Sequence, residues 1–229
     1  MLSATTRLVA LLGYPVAQSL SPRMQNAAFA ARGLDWVYVA LDVPPERFEE
    51  AVRGLAAAGF AGANVTTPHK PAAAALSGGG LPSVNTLVFR DRRIEGHTTD
   101  AAVLEGVDAD RPVVVGGGGA AVAFAAALPH ARVFSRRTRW PPDAGKADLV
   151  VNATSAHDEV VVEVREGQTL VDLPYPRSAT ADAARAAGAR VLDGLDVLVA
   201  QGAVSFTIWT GVPAPVDVMT RAVRSVDLA

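Results

Sequence analysis

The sequence predicts an α/β protein of two lobes with a cleft between them, and three observations support this fold class. Short apolar segments alternate with segments of helical periodicity along most of the 229 residues. A run of valines leads directly into a glycine stretch at 116–119, and another helical segment follows it. The later elements repeat in the order strand, helix, strand, which is typical of a parallel nucleotide-binding sheet.

The first half of the chain is predicted to alternate strands and helices and to finish with a hairpin. Ser21-Pro22 begins the first helix, and Gly33 ends it. Thr67-Pro68 has the pattern of an N-cap followed by proline, so a helix is expected to begin near Pro68. The predicted strands are 7–12, 36–41, 60–65, 84–89 and 92–97, with a hairpin turn at Arg90-Asp91, and a further helix is predicted over 45–58.

The second half is predicted to be a repeating βα unit. Thr99-Asp100 begins a helix, and residues 112–128 contain a strand, a glycine loop and a helix. Further strands are predicted at 132–137, 148–153, 169–173 and 190–194, and further helices at 179–188, 195–210 and 216–226.

The composition excludes several classes of protein. Half of the residues are hydrophobic and 19% are charged, so a packed soluble core is expected. The net charge of −2 argues against a nucleic-acid or membrane-surface binder. Without cysteine there are no disulfides, thiolate nucleophiles or cysteine metal sites, and the four scattered histidines lack metal-ligand spacing. The apolar run Leu8–Leu12 is too short for a signal or spanning segment, so we expect a cytoplasmic protein.

The glycine stretch carries a dinucleotide fingerprint. It reads Gly116-x-Gly118-x-x-Ala121, follows a buried-type strand and opens a helix, which is the context that the fingerprint requires. Glycines allow the backbone to approach a pyrophosphate, and the helix N-terminus favours the anion. The alternative is a flexible turn between a strand and a helix.

The next predicted strand ends in Ser135-Arg136-Arg137. A site that prefers NAD usually has an acidic residue here for the ribose 2′-hydroxyl, whereas arginines suit a 2′-phosphate. The pattern therefore favours NADP, and the alternative is a solvated basic turn.

Lys70 is placed in the first turn of the helix expected near Pro68. The helix dipole is positive at that end, so a lysine is locally unfavourable, and aspartate or glutamate is usual there. A lysine at this position therefore indicates a counter-charge elsewhere in the protein.

Several other polar residues of the first half lie at predicted strand ends or helix starts. Each has an ordinary explanation, since Ser21 and Thr99 could cap helices and a single lysine is usually solvated. Together they have the character of a pocket for a polyhydroxylated anion. The residues are Ser19, Ser21, Asn64, Thr66, Lys70, Asn85, Thr98, Thr99 and Asp100.

Seven motifs in order resemble the shikimate dehydrogenase family, and the resemblance covers nearly the whole chain. They are GYPVAQSLSP (13–22), NVTTPHK (64–70), VNTL (84–87), GHTTDA (96–101), GGGGAA (116–121), VNATS (151–155) and DGLDVLVAQGAVSFTIWTG (193–211). Any one motif would be weak, but seven in order make the resemblance specific.

The resemblance implies an NADP-dependent oxidoreductase of aromatic amino-acid and chorismate biosynthesis. Such an enzyme reversibly reduces 3-dehydroshikimate to shikimate by hydride transfer. Lys70 and Asp100 would be the catalytic pair, with Asp100 as the counter-charge of Lys70. The substrate contacts would be Ser19 and Ser21 to the carboxylate, Asn64, Thr66, Asn85 and Gln201 to ring hydroxyls, and Tyr175 as a further contact.

The resemblance also implies a division into domains and a set of cofactor contacts. The substrate-binding domain would be residues 1–100 plus about 203–229, and a shortened Rossmann-like NADP-binding domain would be about 101–202. The cofactor contacts would be Gly116, Gly118, Gly119 and Ala121 at the pyrophosphate, Ser135, Arg136 and Arg137 at the 2′-phosphate, and Asn152, Ala153 and Thr154 along the dinucleotide.

The chain departs from the family pattern mainly on the cofactor side. Val122 stands where an arginine is usual, and Asp196 where a glycine is usual. A helix–strand unit is mostly missing between 137 and 148, and the stretch between Lys70 and Asn85 is trimmed.

Three other functions stay open at this point. A related dehydrogenase could use quinate, with NAD as cofactor, although the arginines disfavour NAD. A non-catalytic shikimate-binding protein would not require the pair Lys70 and Asp100. A folate-linked dehydrogenase would not require the two serines or Gln201. The sequence is compatible with both a monomer and a homodimer.

Overall fold

The structure is a computed structural model that describes residues 3–91 and 93–225. Its chain divides into two compact units. Unit 1 contains the described residues up to Thr99 and those from Val199 onward, and unit 2 is Asp100–Leu198.

Both units are built from short strands and helices. The strands are β1 (Arg7–Gly13), β2 (Trp36–Asp42), β3 (Gly62–Val65), β4 (Thr86–Arg90), β5 (Arg93–His97), β6 (Val113–Val115), β7 (Arg132–Phe134), β8 (Leu149–Asn152), β9 (Thr169–Asp172) and β10 (Arg190–Leu192). The α-helices are α1 (Ser21–Ala31), α2 (Phe48–Ala57), α3 (Lys70–Ser77), α4 (Gly119–Ala127), α5 (Ala179–Ala186), α6 (Gly194–Thr210) and α7 (Val216–Arg224). The predicted α/β class is therefore confirmed.

Unit 1 contains a mixed five-stranded sheet of order β2-β1-β3-β4-β5. β1 pairs in parallel with β2 and β3, whereas β4 is antiparallel to both β3 and β5. The carboxyl ends of β1, β3 and β5 and the amino end of β4 therefore meet at one edge of the sheet. The loops at this edge carry most of the polar residues singled out in the sequence.

The last turns of α6 lie against the unit 1 sheet through Trp209. Its indole nitrogen donates a hydrogen bond of 3.0 Å to the carbonyl of Leu87 in β4. Gly62 in β3 makes this approach possible, because a Cβ added there would lie 2.2 Å from the Leu87 oxygen and 2.5 Å from the Trp209 Nε1. The glycine is thus required by close packing.

Unit 2 contains a fully parallel five-stranded sheet of order β10-β9-β8-β6-β7. Residues 135–148, all of them described, form neither a helix nor a regular strand before β8. Buried valines at 161, 162 and 164 pack instead in the same core cluster as Val113 of β6 and Phe134 of β7. These valines close one face of the sheet.

Several predicted boundaries are wrong by a few residues. The third helix begins at Lys70 and not near Pro68, because residues 66–69 form a turn closed by the His69 N–H and the Thr66 carbonyl at 2.9 Å. The predicted helix 45–58 divides into a 3₁₀ segment, Pro45–Arg47, and α2. The helix that begins at Asp100 is a 3₁₀ segment, Asp100–Leu104.

In unit 2 the predicted strand 132–137 ends at Phe134, because the N–H of Thr138 turns back to the Ser135 carbonyl at 3.0 Å. Residue 92, at the predicted start of β5, and Val226, at the predicted end of α7, lie outside the described residues.

Replacing Gly62 by alanine should destabilise the protein by about 2–4 kcal/mol, because the new methyl group would overlap the backbone of β4 and the Trp209 ring. The matched control is Gly54→Ala in α2, where nothing lies within 4 Å of the added Cβ. That change should stabilise by about 0.5–1 kcal/mol. Urea unfolding of both variants checks the pair, and equal stabilities would contradict the packing role of Gly62.

Candidate active site

The sheet edge of unit 1 brings together the ends of three strands with their polar residues. Ser19 and Ser21 follow β1, and the Ser21 N–H donates to the Ser19 hydroxyl at 3.3 Å. Thr66 and Lys70 follow β3, and Asn85 immediately precedes β4. The edge therefore presents hydroxyls, an amide and a cation, which together can bind an anion that carries hydroxyl groups.

Thr66 is held next to the loop that carries the serines. Its N–H donates to the Leu12 carbonyl at 2.9 Å, and the N–H of Tyr14 donates to the Thr67 carbonyl at 3.1 Å. A Cβ on Gly13 would lie 2.3 Å from the Thr66 methyl group. Glycine at 13 thus allows the loops after β1 and β3 to lie in direct contact.

Lys70 is the first residue of α3, so the predicted place of this cation in a first helical turn is confirmed. That turn contains no acidic residue. The preceding His69 is buried, its Nε2 lies 2.8 Å from the Val43 carbonyl, and its ring stacks on Phe48 with centroids 4.6 Å apart. Because a carbonyl only accepts, Nε2 carries the proton, and the anchored imidazole fixes where α3 begins.

Asn85 is bound to Thr99 by two hydrogen bonds. Its Oδ1 accepts from the Thr99 N–H at 2.7 Å, and its Nδ2 donates to the Thr99 hydroxyl at 2.9 Å. Both residues are buried. Asp100 is the next residue along the chain, so this pair fixes the backbone from which Asp100 starts.

Asn64 lies in a buried hydrogen-bond network. Its Oδ1 accepts from the Tyr38 hydroxyl at 2.8 Å, and its Nδ2 lies 3.0 Å from the hydroxyls of Thr86 and Ser205 and 3.1 Å from the Asn85 carbonyl. An amide nitrogen has only two hydrogens for these three acceptors. The Asn64 amide is therefore engaged inside unit 1, which gives it a supporting position next to the predicted substrate residues.

Ser205 connects this network to α6. Its hydroxyl donates to the Gln201 carbonyl at 3.0 Å and lies 2.9 Å from the Thr86 hydroxyl. In the same part of the helix, the buried Gln25 donates to the Gly202 carbonyl at 2.9 Å. These hydrogen bonds fix the position of the turn of α6 that carries Gln201. The Gln201 side chain is half-buried.

The glycine loop of unit 2 joins β6 to α4. Gly116 has φ 142°, and an added Cβ would lie 2.8 Å from the Ala153 carbonyl and 3.2 Å from the Ala121 Cβ. Gly118 is the N-cap of α4, no side chain caps this end, and a Cβ there would meet nothing within 4 Å. The backbone N–H groups of Gly119 and its neighbours thus remain available to a diphosphate at a helix N-terminus.

Arg136 and Arg137 occupy the centre of a tight turn after β7. The Ser135 and Thr138 hydroxyls are 2.8 Å apart and close the turn. Nη2 of Arg137 donates to the Gly117 carbonyl at 3.2 Å, so this guanidinium lies over the glycine loop. Arg137 at the glycine loop and its chain neighbour Arg136 are both exposed, and two such cations fit a dinucleotide with a 2′-phosphate.

Asn152 and Asp172 end the neighbouring strands β8 and β9 and are both fully buried. Nδ2 of Asn152 donates to Asp172 at 2.7 Å, and its Oδ1 accepts from the N–H and hydroxyl of Thr154 at 3.2 and 2.8 Å. Asn152 therefore shapes the turn through Ala153 and Thr154, whose side chains are half-buried.

The turn after β9 contains Tyr175, which is half-buried. Its backbone is crowded, since a Cβ on Gly194 would lie 2.6 Å from the carbonyls of Leu173 and Pro174. Asp193, which precedes α6, and Asp196 in its first turn form reciprocal hydrogen bonds. Asp196 accepts from the Asp193 N–H at 3.0 Å, and Asp193 accepts from the Asp196 N–H at 3.2 Å.

Tyr38, Thr86, Ser205 and Asp172 contribute to these arrangements and were missed in the sequence. Thr99 was considered there as a helix cap and as a member of the predicted polar pocket, but not as the partner of Asn85. A signal was available for Ser205, which is one helical turn from Gln201 in the C-terminal motif. For Tyr38 and Asp172 the sequence offers only positions in apolar strands.

A parallel sheet with a glycine loop at a helix start and arginines after the next strand defines a dinucleotide-binding class of α/β protein. A family model for the shikimate dehydrogenase substrate binding domain matches residues 11–78, and one for the shikimate 5′-dehydrogenase C-terminal domain matches 194–224. The chain belongs to the shikimate dehydrogenase family, as its relatives also show.

Two relatives indicate how far the similarity extends. The shikimate dehydrogenase (NADP⁺) of Anaeromyxobacter dehalogenans is 41% identical, with 98% of each chain covered. The alignment spans 273 positions, 44 more than the 229 residues of this chain, so the chain is shorter than that relative. The crystal structure of shikimate dehydrogenase from Aquifex aeolicus has a TM-score of 0.88 and 30% identity, and covers 98% of this chain and 100% of that one.

A third relative has been solved with ligands. Shikimate dehydrogenase from Thermus thermophilus, in complex with NADP(H) and shikimate, has a TM-score of 0.81 and 31% identity, and covers 95% of this chain and 98% of that one.

Within residues 3–91 and 93–225, no helix is long and apolar enough to cross a membrane.

Ser205→Ala should lower the free energy of unfolding by about 1–3 kcal/mol, because it removes one buried partner from Asn64 and Thr86. Thr207→Ala is the control on the same helix. Its exposed hydroxyl bonds the carbonyl four residues earlier, as Ser205 does, and its loss should cost at most about 0.5 kcal/mol. Equal losses in urea unfolding would contradict the role of the network.

Asp172→Asn should change how stability depends on pH. Burial raises the pKa of the Asp172 carboxyl, more than hydrogen bonds from Asn152 and Ser178 lower it. Folding therefore takes up a proton, and wild-type stability falls as pH rises from the ordinary aspartate pKa through the folded pKa. The asparagine variant does not ionise, so it should gain stability relative to wild type as pH rises above the ordinary aspartate pKa. Parallel pH profiles of urea unfolding would contradict this assignment.

Proposed function

We propose that this chain catalyses the NADP-dependent, reversible reduction of 3-dehydroshikimate to shikimate in aromatic amino-acid biosynthesis. The observation that carries the proposal is the sheet edge of unit 1. There the Asn85–Thr99 pair fixes the chain entering Asp100, and Lys70 starts α3 at the same edge. The names of the relatives, shikimate dehydrogenase (NADP⁺), agree with this chemistry. We expect the chain to act in the cytoplasm as a monomer or a homodimer.

Unit 1 is proposed to bind the substrate, as the substrate-binding domain expected over 1–100 and about 203–229. Ser19 and Ser21 would bind the carboxylate, because a serine hydroxyl can donate to an anion. The ring hydroxyls would be bound by Thr66, Asn85 and Gln201, with Asn64 supporting them. Tyr175, which belongs to unit 2, is proposed as a further substrate contact.

Unit 2 is proposed to bind NADP, as the cofactor domain expected over about 101–202. The pyrophosphate would lie at the N-terminus of α4, where glycine allows close approach. When bound, the nicotinamide supplies or accepts the hydride. The proposed contacts are Gly116, Gly118, Gly119 and Ala121 at the pyrophosphate, Ser135, Arg136 and Arg137 at the 2′-phosphate, and Asn152, Ala153 and Thr154 along the dinucleotide.

Lys70 and Asp100 are proposed as the catalytic residues. Reduction of the ketone places negative charge on its oxygen, and the Lys70 ammonium can stabilise that charge and donate a proton to it. Asp100 would accept a hydrogen bond from a neighbouring ring hydroxyl and supply the counter-charge for Lys70. Lysine in the first turn of α3 is locally unfavourable, so its presence there is explained by this use.

Lys70→Ala should lower turnover by about 10²–10⁴-fold, with a smaller change in KM, because the ammonium acts on charge that develops during the reaction. Shikimate oxidation with NADP⁺ is followed by the absorbance of the reduced nicotinamide. Lys146→Ala removes the same cation from an exposed position and should leave turnover unchanged.

Unchanged turnover in Lys70→Ala would contradict the catalytic role of this lysine. Faster reduction with quinate or with NAD⁺ in the same assay would support the related dehydrogenase instead. A folded wild-type protein that binds shikimate without reducing either nucleotide would support a non-catalytic shikimate-binding protein.

A further inference from the structure

The two arginines after β7 have different partners. Arg137 donates to the neutral carbonyl of Gly117. Arg136 instead forms an ion pair with the carboxylate of Glu159, and its guanidinium carbon lies 5.3 Å from the centroid of the Trp140 ring. The chain thus supplies its own anion to one of the two cations proposed to receive the 2′-phosphate.

Glu159 belongs to a segment that is held firmly against the unit 2 core. Its carbonyl accepts from the buried Thr180 hydroxyl at 3.3 Å, and that hydroxyl also accepts from the Val161 N–H at 2.9 Å. Val161 and Val162 are buried in the cluster that closes this face of the sheet. The Glu159 backbone is therefore fixed, and its carboxylate stays within reach of Arg136.

The ion pair itself is open to solvent. The Arg136 side chain is 67% exposed and that of Glu159 is 56% exposed. Exposed pairs of this kind contribute about 0–1 kcal/mol, so another anion can replace the carboxylate. A phosphate dianion offers Arg136 more charge and more acceptor oxygens than a carboxylate does.

We propose that Glu159 is a residue that sets cofactor specificity, because its carboxylate competes with the 2′-phosphate of NADP for the Arg136 guanidinium. This inference rests on the proposed function. A nucleotide with a 2′-phosphate must displace the Glu159 carboxylate and then binds next to its negative charge. NAD has a hydroxyl at this position and needs no such displacement. Glu159 therefore weakens the preference for NADP over NAD that Arg136 creates.

Glu159→Gln should lower the dissociation constant of NADP⁺ by about three- to tenfold, because it removes both the competing ion pair and a negative charge beside the phosphate. The constant for NAD⁺ should change by less than about twofold. Isothermal titration calorimetry of the full chain with NADP⁺, NAD⁺ and adenosine 2′,5′-bisphosphate measures these constants without requiring turnover.

Glu163→Gln is the matched control, because it removes the same charge from an exposed position four residues further along the same segment. It should leave the ratio of the two dissociation constants unchanged. In an Arg136→Ala background, Glu159→Gln should no longer tighten NADP⁺ binding, since the competition requires the guanidinium.

The outcomes separate the inference from the proposed function. If wild type binds NADP⁺ and Glu159→Gln binds it equally or more weakly, the competition is contradicted and the proposed function stands. An equal gain in Glu163→Gln, or a gain that persists without Arg136, also contradicts it. If neither wild type nor Glu159→Gln binds NADP⁺ or adenosine 2′,5′-bisphosphate, both proposals fail.

Discussion

The architecture of the unit 1 edge depends on one buried hydroxyl, that of Ser205. Two strand residues, Asn64 and Thr86, lie within 3.0 Å of it, and it donates to the Gln201 carbonyl one turn earlier in α6. A buried polar group without a partner costs more than an ordinary hydrogen bond contributes. These hydrogen bonds therefore fix the position of α6 against the sheet, and with it the positions of the loops at this edge.

The same logic extends outward through Asn85. Its backbone carbonyl is bonded by Asn64, while its side chain bonds both the N–H and the hydroxyl of Thr99. A residue held by two atoms of its partner has little freedom to rotate. The position of the following Asp100 is thus set by buried amide and hydroxyl groups, and one of these residues, Asn85, is also a proposed substrate contact.

The sequence could predict the fold class and the motifs, because strand periodicity, glycine loops and helix starts are local signals. It placed Lys70 in a first helical turn but began that helix too early at Thr67-Pro68, because the turn that ends at His69 depends on a bond to Val43 in another part of the chain. The hydrogen bonds that the Asn64 amide makes inside unit 1 could not be predicted from the sequence either. Side chains separated by 141 positions meet there only after folding.

One face of the unit 2 sheet is closed by buried valines of the segment that also carries Glu159. Valines at 161 and 162 lie in this core cluster, and Glu159, two residues before Val161, reaches the turn that carries Arg136. The exposed Arg136 guanidinium at that turn attracts a nearby carboxylate, and in this chain that carboxylate belongs to Glu159. The segment that covers this face thus also places a carboxylate at an arginine proposed to bind the 2′-phosphate. In the proposed competition, cofactor preference depends on two anions that bind Arg136. One is the Glu159 carboxylate, which is always present, and the other is the 2′-phosphate of NADP.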